Sequence, residues 1–197
     1  LRENILNFSK IIKDEMPNKL NILVLGGSQA AKVFAETLPD VFIKCKKNNI
    51  NFKIYQQCLS EQEIDLKKKY DNNNISYELF NFTFDIVKYY NLTNLVITRA
   101  GSSALAELLN CKIPIISIPL ASSSENHQFK NAQYFSDKGF GIMLEEKDIN
   151  NGLFKLLQSI HSDKSMLKSI KTNQKKHSDK NVFAIIRKEI TKIFYEN

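Results

Sequence analysis

The sequence predicts an α/β fold, a Rossmann-like parallel sheet with helices on both faces. Three observations carry this reading. Short apolar runs rich in Leu, Ile and Val alternate with segments of helical periodicity along most of the chain. Two of those runs deliver the chain through small-residue turns into helices, at Gly26-Gly27-Ser28 and at Ala100-Gly101-Ser102-Ser103. No repeat and no low-complexity linker divides the 197 residues, so they form one domain whose strands must be joined by helical crossovers.

Taken in order, Ile5, Phe8, Ile12 and Met16 stand at helical spacing until Pro17 ends the segment. The run LNILVL at 20–25 is a short buried strand. It leads through GGSQAA into a helix carrying Val33, Phe34 and Leu38. A second strand spans 52–57, a Glu- and Lys-rich surface helix 60–70, and a third strand 75–80. After the loop 81–85, a short helix through Val87 and Tyr90 precedes the stretch that organises the chain, LVITRAGSSALAELLNCKIPIISIP at 95–119. That stretch is one strand, turn, helix and strand, with strands at 95–98 and 113–118. A polar loop, 120–128, then opens a helix with Phe129, Ala132 and Phe135, closed by Gly139 before a last strand at 140–144. From Lys147 the pattern is helical, with Leu153, Leu156, Leu157 and Ile160 on one face, and a final helix starts at Asp179.

Composition bounds the function. The chain is 43% hydrophobic and 25% charged, a globular balance with a formal net charge of +7. Its lysines are scattered and form no arginine-rich or aromatic-interleaved block, so no nucleic-acid partner is expected. Cys45, Cys58 and Cys111 match no zinc spacing and read as reduced thiols of a cytoplasmic protein. The longest apolar runs fall far short of the roughly 20 residues of a spanning helix. The first residues lead into an amphipathic helix rather than an apolar signal segment, and a chain opening on Leu1 is expected to be a piece of something longer.

The chemistry collects where strands meet helices. Free backbone N–H groups and the helix dipole favour an anion at each glycine/serine turn, and phosphate is the natural guest. GGSQAA is neither a P-loop nor a full dinucleotide fingerprint, and a ligand-free tight turn is its plainer reading. Glu107, six residues past Gly101, can accept hydrogen bonds from sugar hydroxyls beside the phosphates; a solvated helix glutamate is the alternative. Gln128, and less strongly His127, stand where a side chain reaches a sugar. His127 otherwise caps its helix or is solvated. Phe82 and Phe84 read first as core residues, with a platform for a flat base as the second reading. His161 and His177 are assigned to polar links. A nicotinamide site is disfavoured, because Gln56-Gln57 stand where its ribose carboxylate belongs.

With these residues laid out, the chain resembles the carboxyl-terminal half of the MurG family, the bacterial N-acetylglucosaminyltransferases of peptidoglycan synthesis. Four stretches carry the resemblance: LVLGGSQAAKVF at 23–34, TRAGSSALAEL at 98–108, IPIISIPL at 113–120 and NHQFKNAQYF at 126–135. It implies the carboxyl-terminal half of a two-domain GT-B glycosyltransferase, holding the donor UDP-N-acetylglucosamine. By matching position, Ser28 would meet the diphosphate and Glu107 the ribose, with Gly27 and Gln29 counted among the substrate-binding residues. Gln128, helped by His127, would read the N-acetylglucosamine hydroxyls, and Thr83 would face the uracil by its backbone. Gly101, Ser102, Ser103, Ala104, Leu105 and Ala106 would line the second phosphate-facing turn, and Arg2 matches a nucleotide-site arginine. Ala30 departs from the family's usual glycine. No catalytic base, cofactor or protein-bound metal is expected here. The base and the lipid-linked muramoyl-pentapeptide acceptor belong to an amino-terminal domain that this sequence lacks, and the whole protein would sit peripherally on the cytoplasmic face of the inner membrane. A stand-alone nucleotide-sugar-binding subunit of a split transferase is the alternative.

Overall fold

The computed structural model describes residues 18–121 and 123–177, together with Ile5 and Phe8. The expected first helix is otherwise outside the described residues, and so are the final helix from Asp179 and Arg2. Among the described residues six strands form one sheet: β1 (Leu20–Leu25), β2 (Phe52–Gln57), β3 (Tyr77–Phe80), β4 (Leu95–Thr98), β5 (Ile115–Ser117) and β6 (Ile142–Met143). Their order is β3-β2-β1-β4-β5-β6, and every pair is parallel. The helices are α1 (Gly27–Lys47), α2 (Ser60–Asn72), α3 (Ile86–Leu92), α4 (Ser102–Asn110), α5 (His127–Asp137), α6 (Phe154–Ser162) and α7 (Ser165–Lys176).

Alternation along β1 explains why both faces are covered. Leu20, Ile22 and Val24 pack with Phe34, Leu38 and Phe42 of α1, Leu66 and Tyr70 of α2, and Leu157 and Ile160 of α6. Leu23, pointing the other way, packs with Tyr89 and Tyr90 of α3, Leu105 and Leu108 of α4 and Ala132 of α5. Each such buried aliphatic side chain contributes about 1.5–3 kcal/mol, so the two clusters together hold the sheet between its helical layers. The three cysteines are buried and form no disulfide among the described residues. Burial, opposed by Lys44, pushes the Cys45 thiol up to about 12.

Several expected boundaries shift. β3 starts at Tyr77 rather than Ile75, and β5 and β6 are shorter than the apolar runs that contain them. Ile113 and Ile118 are fully buried just beyond the paired residues of β5, with the Ile118 N–H still reaching Thr98 O (2.8 Å), because hydrophobicity marks burial whereas strand bounds are set by pairing with the neighbour. Gly139 ends α5 as foreseen. Its φ of +66° lets its N–H reach Ser136 O (2.9 Å) and the Phe140 N–H reach Phe135 O (2.8 Å), while the Phe135 and Phe140 rings meet edge to face at 5.9 Å. A Cβ there would meet Asn173 Nδ2 at 2.5 Å.

The segment after Lys147 is not one continuous helix. A 3-10 turn (Glu146–Asp148) and a π turn (Ile149–Leu153) precede α6, and Asp163 and Lys164 break the chain before α7. Lys164 Nζ donates to Ile160 O and His161 O, satisfying the end of α6. Gln174, fully buried in α7, donates from Nε2 to Ile113 O (3.0 Å) and Phe140 O (2.7 Å), tying α7 to the segments that lead into β5 and β6. Gln174→Ala is expected to lower unfolding free energy by about 1–3 kcal/mol, because two buried carbonyls lose their donor. A denaturant midpoint unchanged from the unsubstituted chain would contradict this.

His161 is not in a polar link. It lies in α6, and its Nε2 accepts the Asn51 N–H at 3.3 Å. Burial, aided by the nearby Lys164 charge, pulls its imidazole below the ordinary value. The folded state therefore takes up this proton less readily than the unfolded chain. The corresponding stability is present above about pH 6.5 and is lost as pH falls through the lower folded value. Melting temperature should decline more steeply as pH falls below about 6.5 in the unsubstituted chain than in His161→Gln. Superimposable pH profiles would show that His161 does not contribute.

Candidate functional site

In an open parallel sheet the chain leaves the centre in opposite directions on either side of one strand pair, and a crevice opens between the departing connections. Here that pair is β1 and β4, registered from Ile22 against Leu95 to Leu25 against Thr98. α1 begins just past the carboxyl end of β1 and α4 just past that of β4, so both helix starts face one crevice. A cavity of about 460 Å³ lies there, lined from both sides by Gly26, Gly27, Arg99, Gly101, Ala104 and Glu107, and closed by Gln57, Phe82, Thr83, Tyr90 and Gln128.

Neither helix start is capped by a side chain. In α4 the first internal bond runs from Leu105 N to Gly101 O (3.0 Å), so the N–H groups of Ser102, Ser103 and Ala104 precede the ladder. A Cβ on Gly101 would meet nothing within 4 Å, which leaves the turn open to a guest. At the other start, Gly27 takes a φ of +65°, a left-handed conformation that favours glycine, and the backbone of Ser28 and Gln29 continues into the first turn of α1. Two uncapped starts on one crevice concentrate the partial positive charge of two helix ends.

The polar side chains are held in place. Glu107 is half-buried on α4 and accepts a hydrogen bond from the Tyr90 hydroxyl, Oε2 to Oη 3.2 Å. Gln128 accepts from the Leu120 N–H through Oε1 (3.1 Å). The residues before α5, Glu125 and Asn126, take φ of 49° and 55°, a strained reversal that turns Gln128 back toward β5. In the β3–α3 loop Thr83 Oγ1 accepts from the Asp85 N–H, and Asp85 caps α3 by accepting from the Lys88 N–H.

The residue profile of the Glycosyltransferase family 28 C-terminal domain matches positions 21–186. The chain belongs to that family. It is 38% identical over its whole length to the UDP-N-acetylglucosamine--N-acetylmuramyl-(pentapeptide) pyrophosphoryl-undecaprenol N-acetylglucosamine transferase of Pelagibacter ubique, of which it covers 55%. The chain thus spans about half the length of the curated relatives it matches. Among solved structures it is similar to MurG of Acinetobacter baumannii, with a TM-score of 0.77 at 23% identity over 93% of this chain and 55% of that one. It is also similar to a putative UDP-N-acetylglucosamine 2-epimerase from Listeria monocytogenes, with a TM-score of 0.62 at 11% identity over 91% and 47%. These two structures speak to fold alone. The resemblance read from the four sequence stretches therefore holds at the level of the family 28 carboxyl-terminal domain.

Within this family 28 domain the candidate residues divide. Gly27, Thr83, Gly101, Ala104, Glu107 and Gln128 line the cavity. Leu105 does not: its side chain is fully buried in the core, leaving only its backbone for a ligand. Ala106 is half-buried outside the lining, and Ser102, Ser103 and His127 are exposed on the rim. Phe82 and Phe84 are not core residues as first read. They are 74% and 84% exposed and meet each other edge to face at 4.9 Å. A larger groove of about 690 Å³ between α1 and α2 carries Glu36, Glu61, Asp65, Lys68 and Lys69. It lies on a helical face away from the strand ends, where mixed charges are ordinary solvated surface. Among the described residues no group of three or more His, Cys, Asp or Glu could hold a metal ion, and no helix is long and apolar enough to cross a membrane.

Sequence reasoning missed Arg99, Tyr90 and Glu146. Arg99, 5% exposed at the end of β4, donates from Nη1 to Ile118 O and Pro119 O (both 3.3 Å) and pairs with Glu146 Oε2 at 2.5 Å. Its guanidinium carbon lies 4.7 Å from the centre of the Phe34 ring. The available signal was an arginine directly after the short strand LVIT, whose four residues are all buried. Arg99→Met should destabilise by about 2 kcal/mol, less than for a fully buried pair because Glu146 is part-exposed, which is a fall of roughly 4–8 °C in melting temperature. An unchanged melting temperature would show the pair to be dispensable.

Proposed function

We propose that this chain is the donor-binding domain of an inverting glycosyltransferase. It would move N-acetylglucosamine from UDP-N-acetylglucosamine to the C4 hydroxyl of a lipid-linked N-acetylmuramoyl-pentapeptide. The observation that supports this best is the pair of uncapped helix starts meeting a held carboxylate at the β1/β4 crevice. In this reading residues 1–197 are one donor domain. The N–H groups of 102–104 and of the α1 start take the diphosphate, Glu107 takes the ribose hydroxyls, Gln128 the hexose hydroxyls, and the backbone at Thr83 the uracil. Ser28, Gln29 and Arg2 join the phosphate side, and His127 the sugar side.

Charge grows on the β-phosphate as UDP leaves. Fixed N–H dipoles aimed there stabilise the transition state more than the ground state, and a single such donor is worth about 10²–10³ in rate. The proton of the acceptor hydroxyl needs a base, which this reading assigns to an amino-terminal domain outside the chain. With that domain the protein would act peripherally at the cytoplasmic face of the inner membrane. In a split transferase whose halves associate, the donor site would be the same.

UDP-N-acetylglucosamine is expected to raise the melting temperature more than UDP-glucose, and NAD not at all. Saturation near 100 times Kd corresponds to about 2.7 kcal/mol. No shift at millimolar nucleotide would overturn the reading. Glu107→Ala should weaken UDP binding by roughly 1.5–3 kcal/mol by calorimetry while leaving the fold intact. Unaltered affinity would make Glu107 a solvated helix residue. The chain alone should bind donor but incorporate no labelled N-acetylglucosamine into a lipid-linked acceptor, and turnover by the purified chain would contradict the assignment of the base.

A further inference from the structure

We propose that Tyr90 is the positioning residue of the sugar-binding carboxylate, presetting Glu107 for the vicinal hydroxyls of a ribose. The inference rests on the nucleotide reading of the crevice and adds a residue to it. Tyr90 is 1% exposed, and its ring sits in the cluster formed by Ile86, Leu105 and Leu108. A tyrosine hydroxyl so deeply placed needs a polar partner. It finds one in Glu107, from α3 to α4 across 17 residues of sequence, at 3.2 Å.

The packing around Tyr90 leaves its ring little freedom. The Phe8 ring stands edge to face on it, with centroids 6.4 Å apart. The same amino-terminal segment is tied to α4 itself, because Asn110 Nδ2 donates to the buried Ile5's carbonyl at 2.7 Å. Tyr90 is thus braced by Phe8 and the helix bearing Glu107 by Ile5, and the hydroxyl is delivered to a defined place. A free glutamate samples many rotamers, and freezing one on binding weakens affinity by roughly twofold to tenfold. A carboxylate can accept at about four positions. One bond to Oε2 therefore orients the group while it remains an acceptor for a diol.

Tyr90 also lines the cavity, so a direct contact with the nucleotide is the rival account. The two separate by ligand. Tyr90→Phe keeps the packed ring and removes the hydroxyl alone, and an unchanged ligand-free melting temperature reports that the fold is retained. Calorimetry on the full chain should give a UDP Kd raised about fivefold by Tyr90→Phe, with no change for UDP lacking both ribose hydroxyls and none when the substitution is added to Glu107→Ala. An equal loss for the dideoxy nucleotide, or an additive loss in the Glu107→Ala background, would overturn the positioning role in favour of direct contact. Full-strength UDP binding by Tyr90→Phe would overturn it as well. Failure of the unsubstituted chain to bind UDP would instead remove the nucleotide reading, and the role of Tyr90 with it.

Discussion

The parallel pairing of β1 with β4 is the constraint on which the rest of this structure depends. The strands are separated by about seventy residues of chain, and those residues must leave toward β2 and β3 and return before β4 can form. Because β1 is hydrogen-bonded on both sides and covered on both faces, its six residues are buried or half-buried, and all but Asn21 are apolar. Opposite departures past β1 and β4 then leave a space that no side chain of the sheet fills. Both helices that start there point their N–H groups into it. A slip of one residue between β1 and β4 would exchange the faces of Ile22, Leu23 and Val24 and separate Gly27 from Gly101.

The fold was legible because its signals are local. LNILVL and LVIT carry apolar residues on both faces, interrupted only by Asn21 and Thr98, as doubly covered strands do, and both strands begin and end where those runs do. The two glycine turns of the candidate site were legible for the same reason, since Gly26-Gly27 and Gly101 sit at the junction of strand and helix. What remained hidden depends on partners remote in sequence. Arg99 could be seen but not its pairing with Glu146, 47 positions later, nor its hold on the carbonyls that follow β5. Tyr90 looked like one apolar residue of a short helix. The pairing of its hydroxyl with Glu107 emerges only once α3 and α4 lie side by side. Phe82 and Phe84 were misread because composition cannot say whether an aromatic in a loop turns inward.

The sheet alone does not choose a reaction. The same architecture is shared, at low identity, with MurG of Acinetobacter baumannii and with a putative UDP-N-acetylglucosamine 2-epimerase. Chemistry is carried by the groups at the crevice. These groups suit a nucleotide with charge on its phosphates and hydroxyls on its sugar. A dinucleotide fold would place a carboxylate at the end of β2, and Gln57 stands there instead. The exposed Phe82–Phe84 pair adds flat apolar surface to the same rim.

The central claim is that a nucleoside diphosphate enters the β1/β4 crevice and engages both helix starts together. Amide chemical shifts followed during a titration with UDP test it directly. The account predicts the largest, saturating changes at Gly26, Gly27 and Gly101 through Leu105, with smaller ones at Thr83 and Gln128 and none at Asn49 to Asn51 on the opposite edge of the sheet. Changes centred on the groove between α1 and α2, or confined to one of the two helix starts, would contradict it.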